Sequence, residues 1–339
     1  MCASRFMTLA LLAGFAGAST ARAVPAPPAP QQMTPELKKD SDGLRALAAF
    51  TPVLPLERAE ITVKPPQALG DVSAITVDRT GNVYVFHRPK EGTLQDPIVV
   101  VDASGRFLRS FGKGSNPMSH GIKIDPAGML WTVDAHTSMV RKYTPEGKLL
   151  LEVSVGDIPD PDRPFCGATD VAFRGDGHFY VSDGYCNARV IEYSGDGKKV
   201  REWGAKGKGH GEFQLAHDVA VGGDGTVFVA DRENGRVQWF DAEGRYLGEK
   251  TFGGQLFSAQ VGANGMVYVG THARGTPGYD VDSNIFEFDP KSGTIIGRVA
   301  AFAHQLTVGA DGSLYPGPVD VRSGTDPTAT TIVVFKPRK

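Results

Sequence analysis

Between about residue 71 and the C-terminus, short runs rich in Val, Ile, Tyr and Phe are cut six times by a four-residue turn ending in glycine. The turns are Asp78–Gly81, Asp125–Gly128, Arg174–Gly177, Gly222–Gly225, Gly262–Gly265 and Gly309–Gly312. A second set follows within the same units at Asp102–Gly105, Thr144–Gly147, Ser194–Gly197 and Asp241–Gly244. Glycine at a fixed turn position supplies the positive φ that a tight hairpin needs. Two hairpins in a period of roughly 45 residues make four strands per unit, and six such units predict an all-β, six-bladed β-propeller. The blades are expected to begin near residues 71, 118, 166, 215, 256 and 302. The sixth unit runs out of chain after Thr331–Val334. Residues 55–63 are therefore expected to supply its outer strand and close the ring, which sets the propeller at residues 55–339. The 42 glycines and 23 prolines of this 339-residue chain fit so many turns.

The N-terminus has a different character. Arg5 precedes an apolar run from Phe6 to Phe15, and small residues follow up to Ala21-Arg22-Ala23. That layout predicts a signal peptide over residues 1–23, cleaved after Ala23, and a secreted or periplasmic destination. The run is too short for a membrane anchor, and no later stretch approaches the length of a span. Residues 24–54 read as a Pro-rich linker followed by one short helix over 35–50. A net charge of −2 gives no electrostatic case for a nucleic-acid or membrane partner. The mature chain is expected to be a monomer.

Two repeat positions carry the chemistry. The start of strand one and the end of strand two lie side by side in an antiparallel blade, and strand one is innermost, so both positions rim the central channel. The strand-one position reads Ser73, His120, Thr169, His217, Phe257 and His304 through the blades. Histidine falls in alternate blades only, so three imidazoles stand a third of a turn apart and point at one axis. Three histidines with open positions suit a catalytic metal; zinc leads, with iron and copper as alternatives. A lone histidine is more often a structural residue, but three of the eight at one repeat position are harder to set aside. The strand-two position adds Arg88 and Arg232, repeat-equivalents suited to gripping a carboxylate, and Tyr185 just beyond Gly184. Asp134, Asp183 and Asp231 recur one residue before this position and read as turn caps. His87, His178 and His210 read as solvated, while His136 and His272 lie near the rim but off the strict position. Cys166 and Cys186 flank strands one and two of blade three on one face, so a disulfide is geometrically reasonable; a free thiol pair is the alternative.

The repeats resemble NHL propellers. The segments Tyr180–Asn187 (YVSDGYCN) and Val229–Arg236 (VADRENGR) closely resemble the lyase domain of the peptidylglycine α-amidating monooxygenases, and the likeness runs over about residues 70–339. That family removes glyoxylate from a peptide ending in α-hydroxyglycine and leaves a C-terminal amide. The resemblance implies zinc on His120, His217 and His304, a catalytic tyrosine at Tyr185 acting as a phenolate, site arginines at Arg88 and Arg232, and a disulfide between Cys166 and Cys186. There are departures. A second family disulfide would fall on Phe228 and Trp239, and a methionine near the third histidine is Phe302. The aspartate that helps hold the family's structural calcium is Gln305, so this chain keeps the backbone partners Ile75 and Ile122 and lacks the charged ligand. No copper monooxygenase domain precedes the propeller, so a hydroxylated substrate is expected from another protein.

The leading expectation is a zinc-dependent carbon–nitrogen lyase acting on peptidyl-α-hydroxyglycine or a related carbinolamide. The alternatives are a metal-dependent, lactonase-like hydrolase and a non-enzymatic NHL binding scaffold. The histidine-rich rim differs from the acidic and Asn ligands of calcium lactonases, and fold alone decides nothing between these readings.

Overall fold

A computed structural model describes residues 33–90, 93–276, 278–279, 281–319 and 329–338. The signal peptide and the Pro-rich run read from the sequence lie outside the described residues. Six four-stranded antiparallel sheets form the blades of a β-propeller. Their innermost strands are Val72–Val77, Ser119–Ile124, Asp170–Phe173, Ala216–Val221, Gln255–Val261 and Gln305–Val308.

The turn glycines explain why the strands break where they do. Gly81, Gly128, Gly177, Gly225, Gly265 and Gly312 all have φ between +77° and +91°. In blade one the turn is locked by Asp78, whose Oδ1 accepts from the amides of Thr80 and Asn82 at 2.8 and 3.0 Å. A side-chain acceptor and a left-handed glycine together fix the reversal before any tertiary contact forms.

The ring is closed by β1 (Leu56–Val63), the first strand among the described residues and the outermost strand of blade six. It runs antiparallel to Thr330–Pro337 with an unbroken register from Leu56 opposite Pro337 to Val63 opposite Thr330. Among the described residues the apolar core falls into six clusters, each at a seam between neighbouring blades. Blades are thus held to one another by side-chain burial, the dominant favourable contribution to folding.

The helix α1 (Pro35–Phe50) precedes the ring. Thr34 caps its N-terminus by accepting from the Leu37 amide at 3.3 Å, and Pro35 opens the first turn. Leu44 and Ala48 of α1 join the seam of blades four and five with Phe252, Leu256 and Ala273. A Cβ at Gly253 or Gly254 would meet the Asp40 carbonyl oxygen at 2.6 Å or the Leu44 side chain at 2.7 Å, so glycine there lets the helix seat closely.

Candidate metal and carboxylate site

The channel-facing residues are aimed by backbone irregularities. In blades one, two, four and five the pairing of the inner strand shifts by one residue at Ser73, His120, His217 and Phe257. Each shift is a β-bulge, which leaves the extra residue unpaired and turns its side chain out of the pleat. Thr169 and His304 instead sit just before the inner strands of their blades. The bulges were not legible in the sequence; only their consequence, a repeated channel-facing position, was.

His120, His217 and His304 converge. Their ring centroids are 4.6 to 4.8 Å apart, and ligand atoms from all three lie within 4.8 Å of one another. His120 and His217 are fully buried and His304 is 4% exposed. Each Nδ1 faces a backbone carbonyl: Thr169 at 2.6 Å, Phe257 at 2.6 Å and Ser73 at 3.1 Å. A carbonyl only accepts, so each Nδ1 carries the proton and each Nε2 keeps a lone pair. Burial drives all three imidazoles toward the neutral form, aided by neighbouring positive charge. His120 is lowered to about 3, and His217 and His304 fall well below the usual range. Three preset neutral nitrogen donors fit a zinc-type cation with open coordination positions.

Tyr185 and the arginines join this cluster. The Tyr185 hydroxyl donates to His120 Nε2 at 2.9 Å and lies 3.4 Å from His217 Nε2. Arg232 Cζ stands 5.9 Å from the Tyr185 ring and 5.1 Å from Phe257. Arg88 donates from Nε to the Ser119 carbonyl at 3.3 Å and stacks over Phe165, whose ring packs 5.2 Å from Tyr185. Burial raises the Tyr185 phenol above its ordinary value, against the pull of Arg232 and Arg88. The phenolate implied by resemblance is therefore disfavoured by these residues alone, because desolvation outweighs the two guanidiniums. Beside the arginines, Phe257, Phe302 and Tyr279 make an aromatic wall, with Tyr279 stacked on Phe302 at 4.2 Å and Phe302 at 5.1 Å from Phe257. Sequence reasoning did not find this wall as a unit, since Tyr279 lies on a connecting loop outside the repeat positions.

The acidic residues cap turns. Asp134 Oδ1 accepts from the amides of His136 and Thr137, and Asp231 accepts from the Gln214 amide, Asn234 and Arg236. Cys166 and Cys186 are bonded, with Cα atoms 4.7 Å apart, and so tie down the immediate neighbour of Tyr185. Closing the 20-residue separation should contribute about 3 kcal/mol, so reduction is expected to lower the urea midpoint without unfolding the chain outright. His87 is a correction. It is buried rather than solvated, accepting from the Gly70 amide at Nδ1 (3.1 Å) and donating from Nε2 to the Asp96 carbonyl (2.9 Å).

Further along the same inner strands the residues do not fit the structural calcium implied by resemblance. The Ile75 carbonyl accepts from Thr307 Oγ1 at 2.7 Å, and the uncharged Gln305 leaves its buried amide nitrogen without a partner. On the inner strand of blade two, the Lys123 ammonium meets Asp170 and lies 3.1 Å from Asp218 Oδ1 and 2.7 Å from the Val219 carbonyl. Burial would lower the Lys123 ammonium, but the two carboxylates outweigh it and hold it above its ordinary value. Lys123→Met leaves the buried Asp170–Asp218 pair without its cation, Asp218 being the one that burial and Asp170 push toward the protonated form, and is expected to destabilise the fold by about 3 kcal/mol, read from urea unfolding.

The buried imidazoles also set an acid limit. His120 has a folded value of about 3 against 6.5 in an exposed chain, so the unfolded state takes up protons first on acidification. Its contribution is fully present above 6.5 and is lost as pH falls toward 3; His217 and His304 act with the same sign. Asp183, raised to about 6 by burial, acts oppositely and favours the fold below that value, as do Asp218 and Asp231, which burial also raises. His87 and His272 are lowered by burial as well, so five imidazoles oppose three carboxyls, and the urea midpoint of the metal-free chain is expected to be lower at pH 4.5 than at pH 7.

Known proteins resemble this chain in both sequence and fold. A family model described as the NHL repeat matches residues 213–240, which cover the first three strands of blade four. Peptidyl-glycine alpha-amidating monooxygenase A from Xenopus laevis is 30% identical over 315 residues, covering 80% of this chain and 32% of that protein. A probable peptidyl-alpha-hydroxyglycine alpha-amidating lyase from Caenorhabditis elegans is 27% identical over 74% of this chain and 80% of its own length. Peptidyl-alpha-hydroxyglycine alpha-amidating lyase 2 of Drosophila melanogaster is 28% identical over 81% of this chain and 73% of its own. This chain is a relative of the peptidyl-α-hydroxyglycine α-amidating lyases. It spans about a third of the length of the first curated relatives it matches, 32% and 34%.

Relative to the lyase pattern, one departure has a clear structural counterpart. Phe228 and Trp239, where a second disulfide was implied, are directly opposed across the sheet, and their rings pack at 6.1 Å. An aromatic cross-strand pair thus occupies that place, a stabilising arrangement in its own right. Among solved structures, a streptogramin B lyase matches with a TM-score of 0.57 at 14% identity, covering 83% of this chain and 98% of that one. Virginiamycin B lyase from Staphylococcus aureus, in its quinupristin complex, matches with a TM-score of 0.56 at 17% identity, covering 77% and 82%. At such identity the likeness concerns the fold. Among the described residues no helix is long and apolar enough to cross a membrane.

Proposed function

We propose that this chain is a metal-dependent lyase that cleaves peptidyl-α-hydroxyglycine, or a related carbinolamide, into a C-terminal amide and glyoxylate. The observation that carries the reading is the Tyr185 hydroxyl, 2.9 and 3.4 Å from Nε2 of His120 and His217, with the Arg232 guanidinium 5.9 Å away over its ring. A phenol, three imidazole lone pairs and two guanidiniums are what a substrate with adjacent hydroxyl and carboxylate groups requires. The relatives named as amidating lyases support the same reading.

Arg232 and Arg88 hold the substrate carboxylate, which neutralises the positive charge that burial leaves costly in this cleft. The substrate's hydroxyl then lies toward the histidines and Tyr185. With its own proton already lost to solvent, a state that burial opposes and Arg232 and Arg88 favour, the Tyr185 oxygen receives the hydroxyl proton as the carbinol carbon–nitrogen bond breaks. The bonding pair leaves with nitrogen, the carbinol C–O becomes the aldehyde of glyoxylate, and the proton passes to nitrogen to complete the amide. No net oxidation occurs and no water is consumed. A divalent cation on His120, His217 and His304, zinc by preference, would supply Lewis acidity at the hydroxyl and the extra positive charge that lowers the phenol's pKa. The wall of Phe257, Phe302 and Tyr279 suits an apolar acyl group on the amide side. Export through the N-terminal segment and action as a monomer belong to the same proposal.

The test is metal content of the mature protein together with glyoxylate release from N-benzoyl-α-hydroxyglycine. About one zinc per chain with steady glyoxylate production supports the lyase; metal without glyoxylate would send the site to other C–N or C–O cleavages. Folded protein with neither would sink the enzyme reading. Arg232→Ala is expected to raise KM for this substrate by about a hundredfold, the worth of a charge-assisted pair, while metal content stays unchanged.

A further inference from the structure

We infer that Glu233 and Arg274 are positioning residues that set the Arg232 guanidinium, and that helix α1 is the brace that holds them. The inference rests on the carboxylate role proposed for Arg232. Arg232 donates from Nε to Glu233 Oε1 at 2.8 Å, and the same oxygen accepts from Gln255 Nε2 at 2.9 Å. The other oxygen, Oε2, accepts from Arg274 Nη2 at 2.7 Å. Arg274 is itself pinned: Nη1 donates to the Gly254 carbonyl at 2.6 Å, and Nη2 donates to the Glu233 carbonyl at 3.0 Å. Its own backbone is tied to α1. The Arg274 amide donates to Ser41 Oγ at 3.0 Å, and Arg45 Nη2 donates to the Arg274 carbonyl at 3.3 Å. Arg45 Nε also holds Asp282, at 2.7 Å, a residue with φ +57° at the far end of the same connection.

The chain of contacts therefore runs from a helix outside the propeller to one side of the guanidinium above Tyr185. Packing alone does not account for it. Arg274 is 7% exposed and its Nε is buried without a partner, which costs stability that an apolar residue would not. What the arrangement provides is orientation. Held at Nε by Glu233, the Arg232 guanidinium is fixed in advance, and so loses less entropy on binding a carboxylate.

The experiment uses the full mature chain labelled with 15N-arginine, and reads the Arg232 Nε–H signal, assigned by its disappearance in Arg232→Lys. We expect a slowly exchanging signal in the wild type that broadens or shifts in Glu233→Gln and in Arg274→Met, and is retained in Arg274→Lys. Arg45→Ala combined with Asp282→Ala is expected to speed its exchange. In turnover of N-benzoyl-α-hydroxyglycine, Glu233→Gln and Arg274→Met should each raise KM about tenfold. Arg274→Lys should restore most of this, and in an Arg232→Ala background neither change should add to the loss. An Arg232 signal indifferent to Glu233→Gln and Arg274→Met overturns the inference whatever the chain catalyses. A signal that responds in a protein without glyoxylate release supports it and instead removes the lyase reading.

Discussion

Replacing His217 with alanine is expected to cost at least about a thousandfold in glyoxylate release and to leave the purified protein without tightly bound metal. The size follows from losing a ligand whose Nδ1 is already fixed on the Phe257 carbonyl and whose Nε2 faces two other neutral imidazoles. Polarisation of the reacting oxygen is worth several kcal/mol in such sites, and two histidines hold a cation far less firmly than three. The fold should survive, because the truncated ring leaves the blade seams intact. Metal analysis and a urea titration alongside the assay separate the outcomes. Full activity without metal would remove the histidines from the chemistry.

Tyr185→Phe is expected to lower kcat by about a thousandfold while leaving metal content and KM close to wild type. The removed hydroxyl is the group within reach of both His120 and His217 Nε2, and proton transfer by a placed side chain contributes about this much. The pH profile is the sharper readout. Burial raises the phenol while Arg232 and Arg88 pull it down, so the limb belonging to Tyr185 should move to higher pH in Arg232→Ala. Activity unchanged in Tyr185→Phe would point to another proton carrier.

Much of the fold could be read without coordinates because its turns are local. A glycine with φ near +80° and an Asp that accepts amides two and four residues on need no distant partner, so Gly81 and Asp78 declare themselves in the chain. Ring closure was legible for another reason: the last blade lacked an outer strand, and β1 fills that place. The convergence of His120, His217 and His304 followed from repeat symmetry. What stayed hidden depended on side-chain direction or on contacts across the chain. His87 looked like a strand-end histidine, and only the approach of Gly70 and Asp96 buries it. Glu233 looked like part of a repeat motif, and nothing near it in sequence points to Arg274, Ser41 or Arg45. The place of Tyr185 near the rim was legible, but the balance between desolvation and two guanidiniums needed distances.

The strand that completes the last blade is also the first of the ring to be synthesised. From Leu56 to Val63 every residue finds its counterpart only in the final segment, Thr330 to Pro337. Until that segment arrives, β1 offers an open edge, and the half-built sixth blade offers another once it forms. Contacts this distant are slow to make, and two unfinished molecules can satisfy each other's edges before either satisfies its own. Correct assembly is thus a race between an intramolecular closure of fixed rate and a pairing between chains that quickens with concentration. Refolding yield should accordingly fall as protein concentration rises, with exchanged dimers as the by-product, and dilution is the condition under which the ring shuts on itself.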